Sequence, residues 1–122
     1  MNIVKKLFHF NEGLLLESGL KLDSFDLMVE TYGELNGNKS NAILVCHAFS
    51  GDHHAAGEDS ETGQSGWWGQ IIGPNKAIDT NKYFVVCSNN LGGCSGSSGP
   101  TSVNPDTGKV YGKDFPAISV TD

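Results

Sequence analysis

The run Ala42-Ile43-Leu44-Val45-Cys46-His47 constrains this chain more than any other segment. It is apolar throughout, rich in branched residues and too short for most helices, and so predicts a strand buried on both faces of a parallel sheet. It stops abruptly at Ala48-Phe49-Ser50-Gly51, small and polar groups at the carboxyl end of the strand. Open α/β sheets bind their ligands at that end. A second apolar run, Tyr83-Phe84-Val85-Val86-Cys87, follows after a long crossover and predicts a strand parallel to the first. Within the crossover Trp67, Trp68, Ile71 and Ile72 recur at helical spacing, and Gly73-Pro74 would stop that helix.

Upstream, Leu14-Leu15-Leu16-Glu17 with the turn Ser18-Gly19 predicts one strand. Phe25, Leu27 and Val29, alternating with Asp26, Met28 and Glu30, predict another. The two suggest an antiparallel hairpin at one edge of the sheet. Downstream, the Gly-, Ser-, Pro- and Asn-rich stretch 91–116 predicts a long functional or mobile loop, and Ser119-Val120-Thr121-Asp122 resembles a helix N-cap with its first turn. An edge hairpin feeding parallel strands makes the fold class α/β, a mixed sheet read as the front part of one larger domain, with no internal repeat and no second domain in 1–122. On its own such a segment exposes a sheet edge and an unfinished core. The expectation is marginal stability or self-association, which a cooperative, monomeric melt above roughly 50 °C would contradict.

Charge narrows the partners. The net charge is −6 and all basic residues are lysines, with no basic run. Little is present to neutralise phosphates, so neither nucleic acid nor an acidic membrane surface is an expected partner. The odd count of cysteines (Cys46, Cys87 and Cys94) cannot pair fully within one chain. With two of them in apolar runs, they read as reduced, buried thiols of a cytoplasmic protein. The N-terminus has too short an apolar part for a signal peptide.

Several motifs carry possible chemistry. Phe49 lies where a backbone N–H could meet a developing oxyanion, and an ordinary strand exit is the alternative. His47 would then hold the loop by a hydrogen bond. Gly92-Gly93-Cys94-Ser95-Gly96 spells a cysteine version of the nucleophile elbow, but Ser97-Ser98-Gly99-Pro100 cannot begin the helix an elbow requires. A pocket-lining glycine loop fits better, and a merely flexible loop remains open. No phosphate-cradle motif is satisfied, and Gly-x-Ser-x-Gly occurs nowhere. His47, His53 and His54 with Cys46, Asp52 and Asp59 match no metal-ligand spacing, so no metal is expected, and His53 and His54 read as exposed residues of a polar loop. Trp67-Trp68 could be a ligand platform, though burial anchoring a helix is the plainer reading.

Taken together, Leu16-Glu17-Ser18-Gly19, Glu30-Thr31-Tyr32-Gly33-Glu34-Leu35-Asn36, Asn41 to Ala48, Gly66-Trp67-Trp68, Ile72-Gly73-Pro74, Ala77-Ile78-Asp79-Thr80, Asn90-Leu91-Gly92-Gly93-Cys94, Gly99-Pro100 and Asn104-Pro105-Asp106-Thr107-Gly108 resemble the start of the homoserine O-acetyltransferases. The resemblance runs from about residue 8 to Asp122. It implies the N-terminal portion of an α/β-hydrolase fold and an acyltransferase of methionine biosynthesis. Such an enzyme moves an acetyl group from acetyl-CoA, a co-substrate rather than a bound cofactor, to L-homoserine through an acylated serine with a histidine base and an aspartate. The resemblance also implies a homodimer for the full-length enzyme. No triad residue has a counterpart here, so the chain alone is expected to be inactive. What carries over is the Phe49 N–H for the oxyanion hole, with Ser50, Gly92, Gly93 and Cys94 near the substrate entrance. Family members often have leucine at the position of Phe49. Succinyl transfer to homoserine, acyl transfer to serine, hydrolysis, and a non-catalytic partner-binding half remain as alternatives.

Overall fold

The computed structural model describes all residues 1–122. Eight strands follow in order: β1 (Ile3–Phe10), β2 (Leu14–Leu15), β3 (Lys21–Leu22), β4 (Phe25–Tyr32), β5 (Ala42–Val45), β6 (Ile72–Gly73), β7 (Ile78–Asp79) and β8 (Phe84–Ser88). One 3-10 turn, Gly112–Asp114, is the sole regular helical element, so no helix is long and apolar enough to cross a membrane. The main sheet runs β1-β4-β8-β5, and two small sheets pair β2 with β3 and β6 with β7. The chain divides into two compact units, Met1–Lys6 with Val29–Ser88 and Leu7–Met28 with Asn89–Asp122, and strands β1 and β4 contribute to both.

In the first unit β5 and β8 are parallel, with Ile43 opposite Val85 and Val45 opposite Cys87. On its other side β8 runs antiparallel to β4, with Glu30 opposite Cys87 and Tyr32 opposite Val85. Because side chains alternate across a strand, this register gathers Tyr32, Val45, Val85 and Cys87 into one core with Ala55, Ala56 and Ile72. The parallel pair expected from the two apolar runs is therefore present.

Four expectations change. Strand β5 is not covered on both faces: it is the last strand of the sheet, and Leu44 remains 67% exposed. The same alternation turns Cys46 outward, so of the three free cysteines only Cys87 is buried, where desolvation pushes its thiol up to about 12. The crossover contains no helix. At Trp68 the chain makes one turn, its carbonyl accepting from the N–H groups of Ile71 and Ile72, and then enters β6. A single turn between Gly69 and Gly73-Pro74 gains too few bonds to offset helix nucleation. Finally, β4 does not form a hairpin with the Leu14 strand. Residues Leu14–Leu15 pair with Lys21–Leu22, while β4 is an inner strand.

In the second unit the segment 89–122 is almost free of regular structure, as its composition predicts, yet it is organised. An antiparallel bridge joins Val103 to Val110. The Ser119 N–H donates to the Asp122 carboxylate at 2.6 Å and closes a turn, but the first helical turn expected at 119–122 is not formed.

Candidate functional site

The first unit holds the turn that follows β5. Gly51 N–H donates to the Ala48 carbonyl at 2.8 Å, which makes Ala48–Gly51 a β-turn with Phe49 as its second residue. In such a turn the closing bond uses only the fourth N–H, so the Phe49 N–H takes no part in it. The Phe49 side chain is fully exposed and Ser50 is exposed beside it. His47, half buried, donates from Nδ1 to the Ala48 carbonyl at 2.7 Å. Its role is thus the loop-holding one expected of it.

The residues after this turn are anchored far more strongly. Asp52 Oδ1 accepts the His54 N–H at 2.8 Å, and the Asp52 carbonyl accepts Trp67 Nε1–H at 3.0 Å. The Ala55 N–H donates to Tyr32 Oη at 2.6 Å, and the Ala55 carbonyl accepts from Trp68 N–H at 2.7 Å. Trp67 and Trp68 stack on each other at 5.6 Å between ring centroids while staying partly exposed, so they brace this loop rather than anchor a helix.

Beneath the loop lies a polar cluster that the alternation in β4 had hidden. Glu30 is 3% exposed and Tyr32 fully buried. Tyr32 Oη donates to Glu30 Oε2 at 2.5 Å, and His54 Nδ1 meets the same oxygen at 2.8 Å. His54 Nε2 lies 3.0 Å from the Gln64 carbonyl. His53 and His54 are therefore buried, not exposed. A histidine can be buried cheaply when its ring nitrogens find partners, and His54 finds two. His53 Nδ1 has none, and desolvation holds its pKa below the ordinary histidine value. Desolvation also raises the Tyr32 hydroxyl pKa far above the usual range, reinforced by the Glu30 carboxylate. The sequence signal for this cluster was Glu30-Thr31-Tyr32, where polar and aromatic residues two apart share a face.

The second unit holds Gly92, Gly93 and Cys94. Gly92 N–H donates to the Ser98 carbonyl at 2.7 Å, and Gly93 N–H to the Asn90 carbonyl at 2.8 Å. Ser97 and Ser98, both buried, accept from the backbone N–H groups of Met28 and Asp26 at 3.0 and 2.8 Å. The loop is therefore stitched to the first half of β4 rather than merely flexible. Cys94 is exposed, and no helix follows it, so the geometry of an elbow is absent. Two shallow cavities of this unit, about 260 and 250 Å³, are lined by other residues, among them Tyr111, Pro105 and Ser24.

No family model matches the chain. A homoserine O-succinyltransferase of Pseudomonas paraeruginosa is 63% identical over 115 residues, 93% of this chain. A homoserine O-acetyltransferase of Methanohalobium evestigatum is 56% identical over 121 residues, 99% of the chain. The chain spans 30% and 25% of the lengths of these two relatives. Among solved structures, homoserine O-acetyltransferase from Bacillus anthracis superposes with a TM-score of 0.86 at 41% identity, covering 98% of this chain and 33% of its own. Esterase E22 superposes at 0.87 and 39% identity, covering 98% of this chain and 34% of its own. The mixed sheet is accordingly part of an α/β-hydrolase fold. Matched over nearly its whole length by succinyl- and acetyltransferases alike, the chain belongs to the homoserine O-acyltransferase family of acyltransferases.

Proposed function

We propose that this chain supplies the oxyanion-hole side of an enzyme that transfers an acyl group from acetyl-CoA or succinyl-CoA to the hydroxyl of L-homoserine, in methionine biosynthesis. The observation that carries this reading is the β-turn at the carboxyl end of β5, whose Phe49 N–H is not used by the turn itself. The identity to succinyl and acetyl relatives is similar, so the sequence relation supports both donors equally. In this reading Phe49 acts through its backbone, and its side chain only shapes the surroundings. Ser50 and the loop Gly92-Gly93-Cys94 contribute to the substrate entrance. The nucleophile, base and orienting carboxylate have no counterpart among these residues, so the chain alone turns over neither thioester.

The test exploits the place of Phe49 in its turn. Proline suits the second position of common β-turns but has no N–H, so Phe49→Pro deletes the donor while sparing the turn. The host is a chimera in which this chain replaces the matching segment of the Pseudomonas or Methanohalobium relative. There, Phe49→Ala is expected to leave kcat nearly unchanged, and Phe49→Pro to lower it by about 10²–10³ with little change in KM, as for loss of one oxyanion donor. Equal effects of both substitutions would refute the role. Mass spectrometry of the products with each donor identifies the acyl group. Thioester cleavage without O-acylhomoserine would favour hydrolysis instead, the reading that the likeness to esterase E22 supports.

A further inference from the structure

We propose that Glu30, Tyr32 and His54 form a buried ionic clamp, with His54 an imidazolium, that positions the turn bearing Phe49. The inference rests on the reading of Phe49 as an oxyanion donor, and its physical core stands independently of that reading.

The protonation state follows from the partners. A carbonyl oxygen can only accept, so His54 Nε2, facing the Gln64 carbonyl at 3.0 Å, carries a proton. Nδ1 faces Glu30 Oε2 at 2.8 Å, and that same oxygen receives the Tyr32 hydroxyl at 2.5 Å. A carboxylate oxygen accepts from both donors at once, with a proton-bearing Nδ1 as the second, and the His53 carbonyl, at 3.1 Å, is the more distant acceptor for the tyrosine. Both ring nitrogens donate, which makes the ring a cation. The other charged or titratable groups around it are Asp52 and His53 in its own loop, Asp59 in the following loop, and Lys5 of β1, whose ammonium is bonded to Asp59 at 3.1 Å. Desolvation pulls the His54 pKa down, but the Glu30 and Gln64 hydrogen bonds and the charges of Glu30 and Asp59 outweigh it, leaving the pKa above the ordinary value of 6.5.

The positioning role follows from what holds the turn. Its own contacts are local and both fall on the Ala48 carbonyl, from the Gly51 N–H at 2.8 Å and His47 Nδ1 at 2.7 Å. The turn is fixed by its flanks: β5 before it, and after it the segment 52–56. The clamp is the buried anchor of that segment, since Tyr32 Oη accepts the Ala55 N–H at 2.6 Å while donating to Glu30. Removing the His54 proton leaves a buried carboxylate short of one donor and frees the segment next to Phe49. A histidine whose folded pKa is raised contributes stability that is complete below its unfolded pKa and is lost as pH rises through the folded one. The loosening therefore lies on the alkaline side.

Nitrogen-15 NMR of the histidine-labelled chain tests the charge without any substitution. His54, assigned by the signal that disappears in His54→Gln, should show two protonated ring nitrogens and keep them above 6.5, the ordinary histidine value. The Ala55 amide should lose exchange protection, beyond the intrinsic pH effect, with the same midpoint. A neutral His54 accepting from a protonated Glu30, or Ala55 protection that ignores the titration, would overturn the clamp. In the chimera, kcat should fall along that same alkaline limb with KM unchanged, and His54→Gln should abolish the limb. An active chimera with no such limb would overturn the positioning role. An inactive chimera whose NMR titration is as expected would instead refute the acyl-transfer reading and leave the clamp standing.

Discussion

Replacing Glu30 with leucine is expected to destabilise the chain by about 3–5 kcal/mol, the range for removing one partner of a buried ion pair. His54 Nδ1 loses its acceptor, and the Tyr32 hydroxyl loses the nearer of its two, the other being the His53 carbonyl at 3.1 Å. Tyr32 is fully buried and His54 nearly so, which leaves no water nearby to substitute for the carboxylate. Leucine matches much of the volume, so little of the loss is cavity. Marginal domains have only about 5–15 kcal/mol in hand, so the variant should show a clear drop in urea midpoint. Glu30→Gln is the informative companion. It keeps an oxygen for one donor but presents an NH2 group and no charge, so it should fall between wild type and leucine. A glutamine variant as stable as wild type would show that the carboxylate charge contributes nothing.

Gly66→Ala is expected to be comparably damaging for a different reason. A Cβ at this position would sit 2.2 Å from Ala56 N, 2.4 Å from Ala56 Cα and 2.5 Å from Ala55 C, all backbone atoms of fully buried residues. Overpacking usually costs about 1–3 kcal/mol, and side-chain neighbours can absorb some of it by moving. Here no side chain can yield. The strand-like contacts around it, Gly66 N–H to the Gly57 carbonyl at 2.9 Å and Trp68 N–H to Ala55 at 2.7 Å, would have to open. The expected loss therefore lies at the upper end of that range or beyond it. Gly37→Ala is the control. Nothing lies within 4 Å of a Cβ there, so it should be neutral, or stabilising by a few tenths of a kcal/mol through the unfolded chain. Thermal melts of the two variants side by side decide the matter, and equal melting temperatures would remove the steric argument.

The extent to which the sequence foretold this fold depended on whether a residue's environment was local. The β5 and β8 strands, and their parallel sense, were legible because branched apolar runs and a long crossover leave few alternatives. The inner place of β4 was not. Its alternation is visible, but in a half-exposed strand that pattern puts Glu30 opposite Phe25, Leu27 and Val29, on the face turned to solvent. The structure places Glu30 inside because Tyr32 and His54 satisfy it, and His54 lies 24 residues further along the chain. Sequence spacing carries no record of such a partner. The same gap misassigned His53 and His54 to the surface. Strand β1 escaped notice because Lys5, Lys6 and His9 interrupt its apolar residues, and most of its side chains are exposed. The Phe49 turn was legible as a place in the fold, at the end of an apolar run, and its unused N–H became concrete only with the Ala48–Gly51 bond.

The discontinuous make-up of the two units also sets an order of events as the chain emerges from the ribosome. The first unit has all its parts once Ser88 has been made. The second begins at Leu7 but is tied off at its far end. There Glu17 N–H donates to the Asp122 carboxylate at 2.7 Å, and the Glu17 carboxylate accepts from Thr121 Oγ1 at 2.6 Å and from the Ser119 hydroxyl. Contacts spanning more than 100 residues form slowly, because the loop must close before they contribute. During synthesis Leu7–Met28 can close its own β2–β3 pair, but its contacts with 89–122 must wait while the residues on both sides of it are already folding. That waiting stretch, rich in leucine, is where a chaperone or a protease would find this polypeptide first.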